Sequence, residues 1–215
     1  QATFSAQNQV GLLVMGEPYL MVNDRTTKEI YWRQLINDVR SIYHGKIAWA
    51  VPLTEQELIL PPWVDQVDFL YLLWSVPLGK SAPEMQTRAE QIVAEVLYPA
   101  YQMTNRPIIV AVNYPSANDA ANQGCIPIET TCYPFEILDQ PIHDSPDLQM
   151  DLQEQLDAYS AVLNAIQPQG WVIGFVSRGY YPPVFMQDKS SSVHGKPTAD
   201  ALWYWYQRFL TQPGQ

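Results

Sequence analysis

Basic residues are scarce in this sequence, and their scarcity argues against whole classes of partner. Twelve Lys and Arg stand against 22 Asp and Glu, a formal net charge of −10. Nucleic acids and anionic membrane surfaces attract basic proteins, so no nucleic acid is expected as a partner. No apolar run approaches the roughly 20 residues of a membrane span. Metal-ligand spacing and a Gly-rich phosphate loop are also absent, so no cofactor is expected.

Cysteine is nearly absent as well. Cys125 and Cys132 are the only two, with six residues between them. This spacing permits a local disulfide, which together with the acidic charge favours an extracellular or periplasmic location. Two free thiols in a cytosolic protein would give the same sequence, so that alternative stays open.

What the sequence does contain is a series of long apolar runs that alternate with amphipathic segments. Unbroken apolar runs are typical of strands buried on both faces, and five occur, at 10–19, 46–52, 67–76, 106–114 and 171–176. Apolar residues at helical spacing predict helices at 27–43, 82–101, 147–166 and 198–210. No helix or strand is predicted for residues 1–9. The order predicts an α/β fold with a parallel sheet, in a single domain over residues 1–215.

A long irregular loop follows the fourth predicted strand. It spans about residues 115–146 and contains both cysteines. Connections of this length are uncommon in a compact domain unless they carry a function. We therefore expect the loop to lie on the active face of the sheet.

A family resemblance rests on seven stretches taken in order: VGLLVMGEP, YWRQLINDVRSIYHGKIAWA, VDQVDFLYLLWSVPL, RPIIVAVNYPS, DLQEQLDAYSAVLNAI, WVIGFV and HGKPTADAL. Together they resemble the C-terminal part of TIM-barrel glycoside hydrolases, especially the β-mannanase-like family 113 and its relatives. The resemblance implies a (β/α)8 TIM-barrel-like fold in which this chain supplies strands four to eight, about five βα units. A complete barrel takes about 250 residues, so a missing N-terminal segment or another chain is expected to complete it.

The resemblance also implies roles for two residues at strand ends, where TIM barrels place their chemistry. Glu17 falls on the position of the general acid/base. The family's nucleophile motif, Thr-Glu-x-Gly-Tyr, falls on VAVNY, with Ala111 at the position of the Glu. Retaining glycosidases need two carboxylates about 5–5.5 Å apart. Because a methyl group cannot attack an anomeric carbon, the retaining reaction is expected to be impaired.

Two interpretations of function follow. In the first, the barrel is a pseudoenzyme that binds carbohydrate or has a structural or assembly role. In the second, it is an active extracellular glycoside hydrolase on β-linked polysaccharide, with Glu17 as general acid/base and an unconventional second carboxylate. An inverting pair, about 6.5–9.5 Å apart, also stays open. The candidates for the second carboxylate, each more simply explained as a solvated loop residue, are Asp119, Glu129, Glu136 and Asp188.

Aromatic residues near the strand ends predict a carbohydrate-binding cleft. Tyr and Trp combine a flat apolar face with a polar group, which suits stacking on sugar rings and equally suits an ordinary core. Arg178 ends the last strand, where a cation can meet a sugar hydroxyl or carboxylate, or instead pair with a loop acid. The aromatic candidates are Trp74, Tyr114, Tyr180 and Tyr181.

Overall fold

The computed structural model describes residues 1–16, 25–141, 146–185 and 187–211, without the side chains of residues 25–27. Its strands are β1 (Leu12–Met15), β2 (Lys46–Pro52), β3 (Phe69–Trp74), β4 (Ile108–Val112), β5 (Ile126–Ile128), β6 (Thr131–Tyr133) and β7 (Val172–Ser177). Its helices are α1 (Ala2–Gln7), α2 (Arg25–Ile42), α3 (Ala82–Ile92), α4 (Tyr98–Thr104), α5 (Ala120–Gln123), α6 (Leu152–Ile166) and α7 (Pro197–Leu210).

Five of the strands form one parallel sheet in the order β1-β2-β3-β4-β7. Parallel strands need a long crossover, usually helical. Helices occupy the β1–β2, β3–β4 and β4–β7 connections, whereas the β2–β3 connection has only a 3-10 turn at Val64–Gln66. The predicted α/β class and parallel sheet are therefore confirmed. Parallel strands run in one direction, so all five carboxyl ends lie at the same edge of the sheet.

One face of the sheet is the core of the molecule. Leu70, Leu72 and Trp74 of β3 align with alternate residues of β4, and all of these are fully buried in one cluster with residues of α2, α3 and α6. Apolar burial of this kind contributes roughly 25 cal/mol per Å². The long apolar runs of the sequence are explained by this face.

The opposite face, which we call the inner face, is covered less completely. Val14 at one end of the sheet is 39% exposed and Val176 at the other is 36% exposed. The inner face consists of Leu12, Val14, Lys46, Ala48, Ala50, Pro52, Phe69, Tyr71, Leu73, Ile109, Ala111, Gly174 and Val176.

Capping residues explain where two of the helices begin. Ser81 and Glu84 form a capping box at α3, with Ser81 N donating to Glu84 Oε2 at 3.1 Å. Asp151 caps α6, because its Oδ1 accepts a hydrogen bond from Glu154 N at 2.8 Å. The helix predicted from residue 147 therefore begins at Leu152, since the cap residue itself has an extended backbone.

Two segments differ from the expectations. Residues 1–9, predicted to form no element, contain α1, a short helix whose Ala2 and Ala6 pack against the core. Two alanines give no apolar periodicity that the sequence alone reveals. The loop after β4 is also more regular than expected, since it contains α5, a β5–β6 hairpin and a 3-10 turn at Phe135–Leu138.

Candidate active site

Glu17, the expected acid/base, lies outside the described residues. The strand before it, β1, ends at Met15 and pairs in parallel with β2.

Ala111 lies on the inner face, between Leu73 of β3 and Val176 of β7. Its side chain is fully buried by its surroundings. It is the fourth of the five residues of β4, close to the carboxyl end of the strand. This position therefore offers a packed methyl group with no atom that can ionise, donate or accept a hydrogen bond.

Polar side chains gather just beyond Ala111. Arg178 N donates to Val112 O at 3.0 Å, which continues the β4–β7 pairing and brings Arg178 beside Asn113. Asp139 approaches from the long loop. Burial raises the pKa of Asp139; the positive charge of Arg178 opposes this, the charge of Glu136 adds to it, and a hydrogen bond from the Asn113 side chain lowers it.

Asp139 was not among the carboxylates that sequence reasoning selected. Asp139 lies more than 20 residues after Asn113 in the sequence and comes near it only when the long loop folds. No local sequence pattern indicates this proximity. The only signal available was the unusual length of the loop itself.

The four carboxylates that were selected occupy other environments. Asp119 accepts hydrogen bonds from the amides of Asn118 and Asn122 at 3.1 Å each. Glu129 is exposed in the turn between β5 and β6, and Glu136 is exposed on the 3-10 turn. Asp188 is buried in an ion pair, so it has a structural partner.

That ion pair belongs to a buried cluster around Lys196. Lys196 Nζ lies 3.2 Å from Asp188 Oδ2 and donates to Ser116 Oγ at 2.9 Å and to Ser190 O at 2.7 Å. Burial lowers the pKa of Lys196 to about 8, against the opposing attraction of Asp188. Because Ser116 follows β4 while the other members follow β7, the cluster fastens the two loops together.

The aromatic candidates divide into two pairs. Trp74 and Tyr114 are fully buried, and Tyr114 Oη donates to Val76 O at 2.6 Å. Both therefore have the packing role that the sequence left open, and neither ring is available to stack on a sugar. Burial also raises the pKa of Tyr114 well above its ordinary value.

The second pair lies beyond β7. Tyr180 is 63% exposed, and its ring centroid is 4.7 Å from that of His194. Tyr181 N donates to Ser192 Oγ at 3.1 Å, and Tyr181 O lies 2.8 Å from His194 Nδ1. These contacts hold both residues against the loop that leads to α7, next to the exposed Arg178.

The predicted disulfide between Cys125 and Cys132 is confirmed, with a Cα–Cα distance of 5.6 Å across the β5–β6 hairpin. In the described ranges, His, Cys, Asp and Glu form no group of three that could hold a metal ion. Within the same ranges, no helix is both long and apolar enough to cross a membrane.

A groove of about 520 Å³ lies beside the loops that follow β2 and β3. Its walls include Glu55, Leu78 and Arg88, and none of the expected site residues lines it. Arg88 Nη2 lies 3.9 Å from Glu55 Oε2 and donates to Glu55 O at 3.2 Å.

Comparison with known proteins identifies the class to which this sheet belongs. A GH113 β-1,4-mannanase superposes with a TM-score of 0.66 at 18% identity, covering 96% of this chain and 59% of that one. The GH113 β-mannanase of Alicyclobacillus acidocaldarius gives a TM-score of 0.70 at 18% identity, covering 96% and 58%. A β-glucuronidase of Faecalibacterium prausnitzii gives 0.57 at 9% identity, covering 94% and 32%. The fold is that of TIM-barrel glycoside hydrolases.

The chain belongs to glycoside hydrolase family 113, because the model of that family matches residues 1–194. The family predicted from the sequence motifs is thus confirmed. No curated protein matches the chain. The chain spans about 59% of the length of the first mannanase above, so a partial barrel of about five βα units accounts for the five-stranded sheet.

Proposed function

We propose that this chain is a carbohydrate-binding portion of a family 113 barrel in which retaining hydrolysis is impaired. The observation that carries the proposal is Ala111. Family resemblance aligns it with the nucleophile, and it lies on the inner face close to the carboxyl end of β4, the edge at which TIM barrels place catalytic groups.

The chemistry follows from that substitution. A retaining glycosidase forms a covalent bond between a carboxylate and the anomeric carbon, and water then hydrolyses the intermediate. Glu17, as the proposed acid/base, has the means to protonate a leaving group. Ala111 supplies no lone pair to attack the sugar and no charge to stabilise an oxocarbenium ion.

The proposed ligand is a β-linked polysaccharide, by analogy with the mannanases that share the family. Tyr180 and Tyr181 are the aromatic contacts that remain accessible, and Arg178 is the adjacent cation. The disulfide supports an extracellular or periplasmic location, where such bonds persist.

Completion of the barrel is part of the proposal. The exposed Val14 and Val176 lie on the outermost strands of the sheet, and an unpaired strand edge favours association. We propose that a missing N-terminal segment or another chain covers the inner face, and that residues 1–215 form one domain with it. If the chain does not bind carbohydrate, the non-catalytic proposal is that it has a structural or assembly role.

The proposal is tested with mannohexaose, cellohexaose and chitohexaose, by calorimetric titration for binding and by chromatography for products. Binding of at least one hexasaccharide without turnover is the expected result. Turnover that disappears in Glu17→Gln would overturn the non-catalytic proposal. Absence of both binding and turnover leaves only the structural role.

The second candidate is an active hydrolase that uses Glu17 with a different second carboxylate. Asp139 favours it, because its carboxyl group lies near Asn113, two residues beyond Ala111, and has a raised pKa. A raised pKa makes the carboxylate a stronger base, which suits the water-activating member of an inverting pair in which Glu17 is the acid. The active hydrolase would be established if the wild-type chain turns over substrate, Glu17→Gln and Asp139→Asn each abolish turnover, and Glu136→Gln leaves it unchanged.

A further inference from the structure

Asp139 is held in a defined position although it belongs to a long loop. It follows the 3-10 turn, in which Phe135 and Leu138 are buried. The Phe135 ring meets the Tyr114 ring edge-on, with centroids 5.9 Å apart. Leu138 O accepts a hydrogen bond from Ser191 N at 2.9 Å. Two apolar anchors and one backbone hydrogen bond therefore fix the segment that carries the carboxylate.

The residues that Asp139 meets come from the ends of β4 and β7. The Asn113 side chain lies close enough to the Asp139 carboxyl group to lower its pKa. Asn113 itself is 1% exposed, and its Oδ1 has no hydrogen-bond partner within the part of the chain that the structure describes. A buried acceptor without a partner is costly, so this atom marks a place where a donor from a ligand or an ordered water is needed.

Arg178 supplies the opposite charge without closing the site. It is exposed and near enough for its charge to act on Asp139. No ion pair within 4.0 Å joins the two side chains, and among the described residues no hydrogen bond engages the Arg178 guanidinium. A half-buried acceptor and an exposed donor thus stand at the same edge of the sheet, each with capacity for a further hydrogen bond.

We propose that Asp139 and Arg178 bind two adjacent hydroxyl groups of a sugar ring at the carboxyl edge of the sheet. The Asp139 carboxylate accepts a hydrogen bond from one hydroxyl, and the Arg178 guanidinium donates to the oxygen of its neighbour. A carboxylate offers only acceptors and a guanidinium only donors, so the pair matches a vicinal diol, in which each oxygen both donates and accepts. This inference rests on the proposed function and assigns contacts within the same site.

The charged groups that act on Asp139 predict how binding depends on pH. They are Arg178, from the end of β7, and Glu136, from the 3-10 turn. Only the ionised form of Asp139 has its full acceptor capacity, and its pKa is raised. As the pH is lowered, affinity for the sugar is therefore expected to begin to fall at a higher pH than it would with an aspartate of ordinary pKa.

The test compares Asp139→Asn with Glu136→Gln, a matched removal of an exposed carboxylate from the same turn. Hydrogen bonds to charged groups are the strong ones, so Asp139→Asn is expected to weaken binding of the bound hexasaccharide by about 10- to 100-fold. Glu136→Gln is expected to stay within about twofold. The pH dependence of affinity should flatten only in Asp139→Asn. Circular dichroism and the unfolding midpoint establish that each variant folds.

The outcomes are separable. If the wild-type chain binds and Asp139→Asn binds with an affinity within about twofold of it and the same pH profile, this inference is overturned. The proposed function is then unaffected. No binding of mannohexaose, cellohexaose or chitohexaose by the wild-type chain overturns this inference together with the proposed carbohydrate binding, and leaves only the structural role. Equal losses in Asp139→Asn and Glu136→Gln overturn the inference too, because they indicate a general charge effect.

Discussion

Replacing Lys196 with methionine removes the cation from the buried cluster that joins the loops after β4 and β7. Methionine has a similar length and no charge, so the substitution preserves most of the packing. It leaves the Asp188 carboxylate, with 5% of its side chain exposed, without its ion-pair partner. Ser116 Oγ and Ser190 O each lose a donor as well.

The expected loss of stability follows from this burial. Removing one member of a buried ion pair typically costs about 3–5 kcal/mol, because the other charge stays uncompensated. For a chain of this size, about 2–4 °C of unfolding midpoint corresponds to each kcal/mol. Lys196→Met is therefore expected to lower the midpoint by about 6–20 °C. Urea unfolding followed by circular dichroism measures the free energy directly.

Two further variants make the reasoning refutable. Lys46→Met breaks an exposed pair, 3.4 Å from Asp68 with 62% of the lysine side chain exposed, and should cost less than about 1 kcal/mol. Asp188→Asn combined with Lys196→Met removes both charges and should recover much of the loss. A Lys196→Met variant as stable as Lys46→Met would refute the account of the buried cluster.

Three other predictions concern the same loops. In Gly179→Ala the new Cβ would lie 2.0 Å from Ser191 O, so the free energy of unfolding is expected to fall by about 1–3 kcal/mol. Gly174→Ala is the control: its Cβ would have no atom within 4 Å, and its urea unfolding should stay close to wild type. Reduction should add two daltons to the intact mass and remove about 2.5 kcal/mol of loop-closure stabilisation from the Cys125–Cys132 loop; an unchanged mass would contradict the disulfide. Burial lowers the pKa of Lys196 from 10.5 to about 8, so between pH 8 and 10.5 the unfolded state binds more protons than the folded state. The free energy of unfolding should therefore rise from pH 8 to 10 relative to that of Lys196→Met. Parallel pH curves of unfolding free energy for the two proteins would contradict this.

The sheet was predictable from the sequence because its physical signal is local. Unbroken apolar runs such as the one containing Leu70 and Leu72 mark strands buried on both faces. Helical crossovers between most neighbouring strands restrict the order to a parallel sheet. The start of α6 was missed because the capping contact of Asp151 depends on backbone geometry that periodicity does not reveal.

The site was less predictable, for two reasons. Trp74 and Tyr114 end up in the core because side chains alternate along a strand, and an error of one residue in register exchanges the core face and the inner face. Asp139 was missed because its neighbours, Asn113 and Arg178, come from distant parts of the chain and meet only when the loop folds. Motif spacing carries no information on such meetings.

The central claim is that the retaining reaction is impaired because Ala111 replaces its nucleophile. An activated 2-deoxy-2-fluoro-mannoside tests this most directly, since such reagents form a stable bond with the nucleophile of a retaining glycosidase. Intact-mass spectrometry of the chain after incubation should show an unchanged mass, while a family 113 mannanase treated in parallel gains one fluoroglycosyl group. A fluoroglycosyl adduct on this chain, located by peptide mapping to any Asp or Glu, would contradict the account.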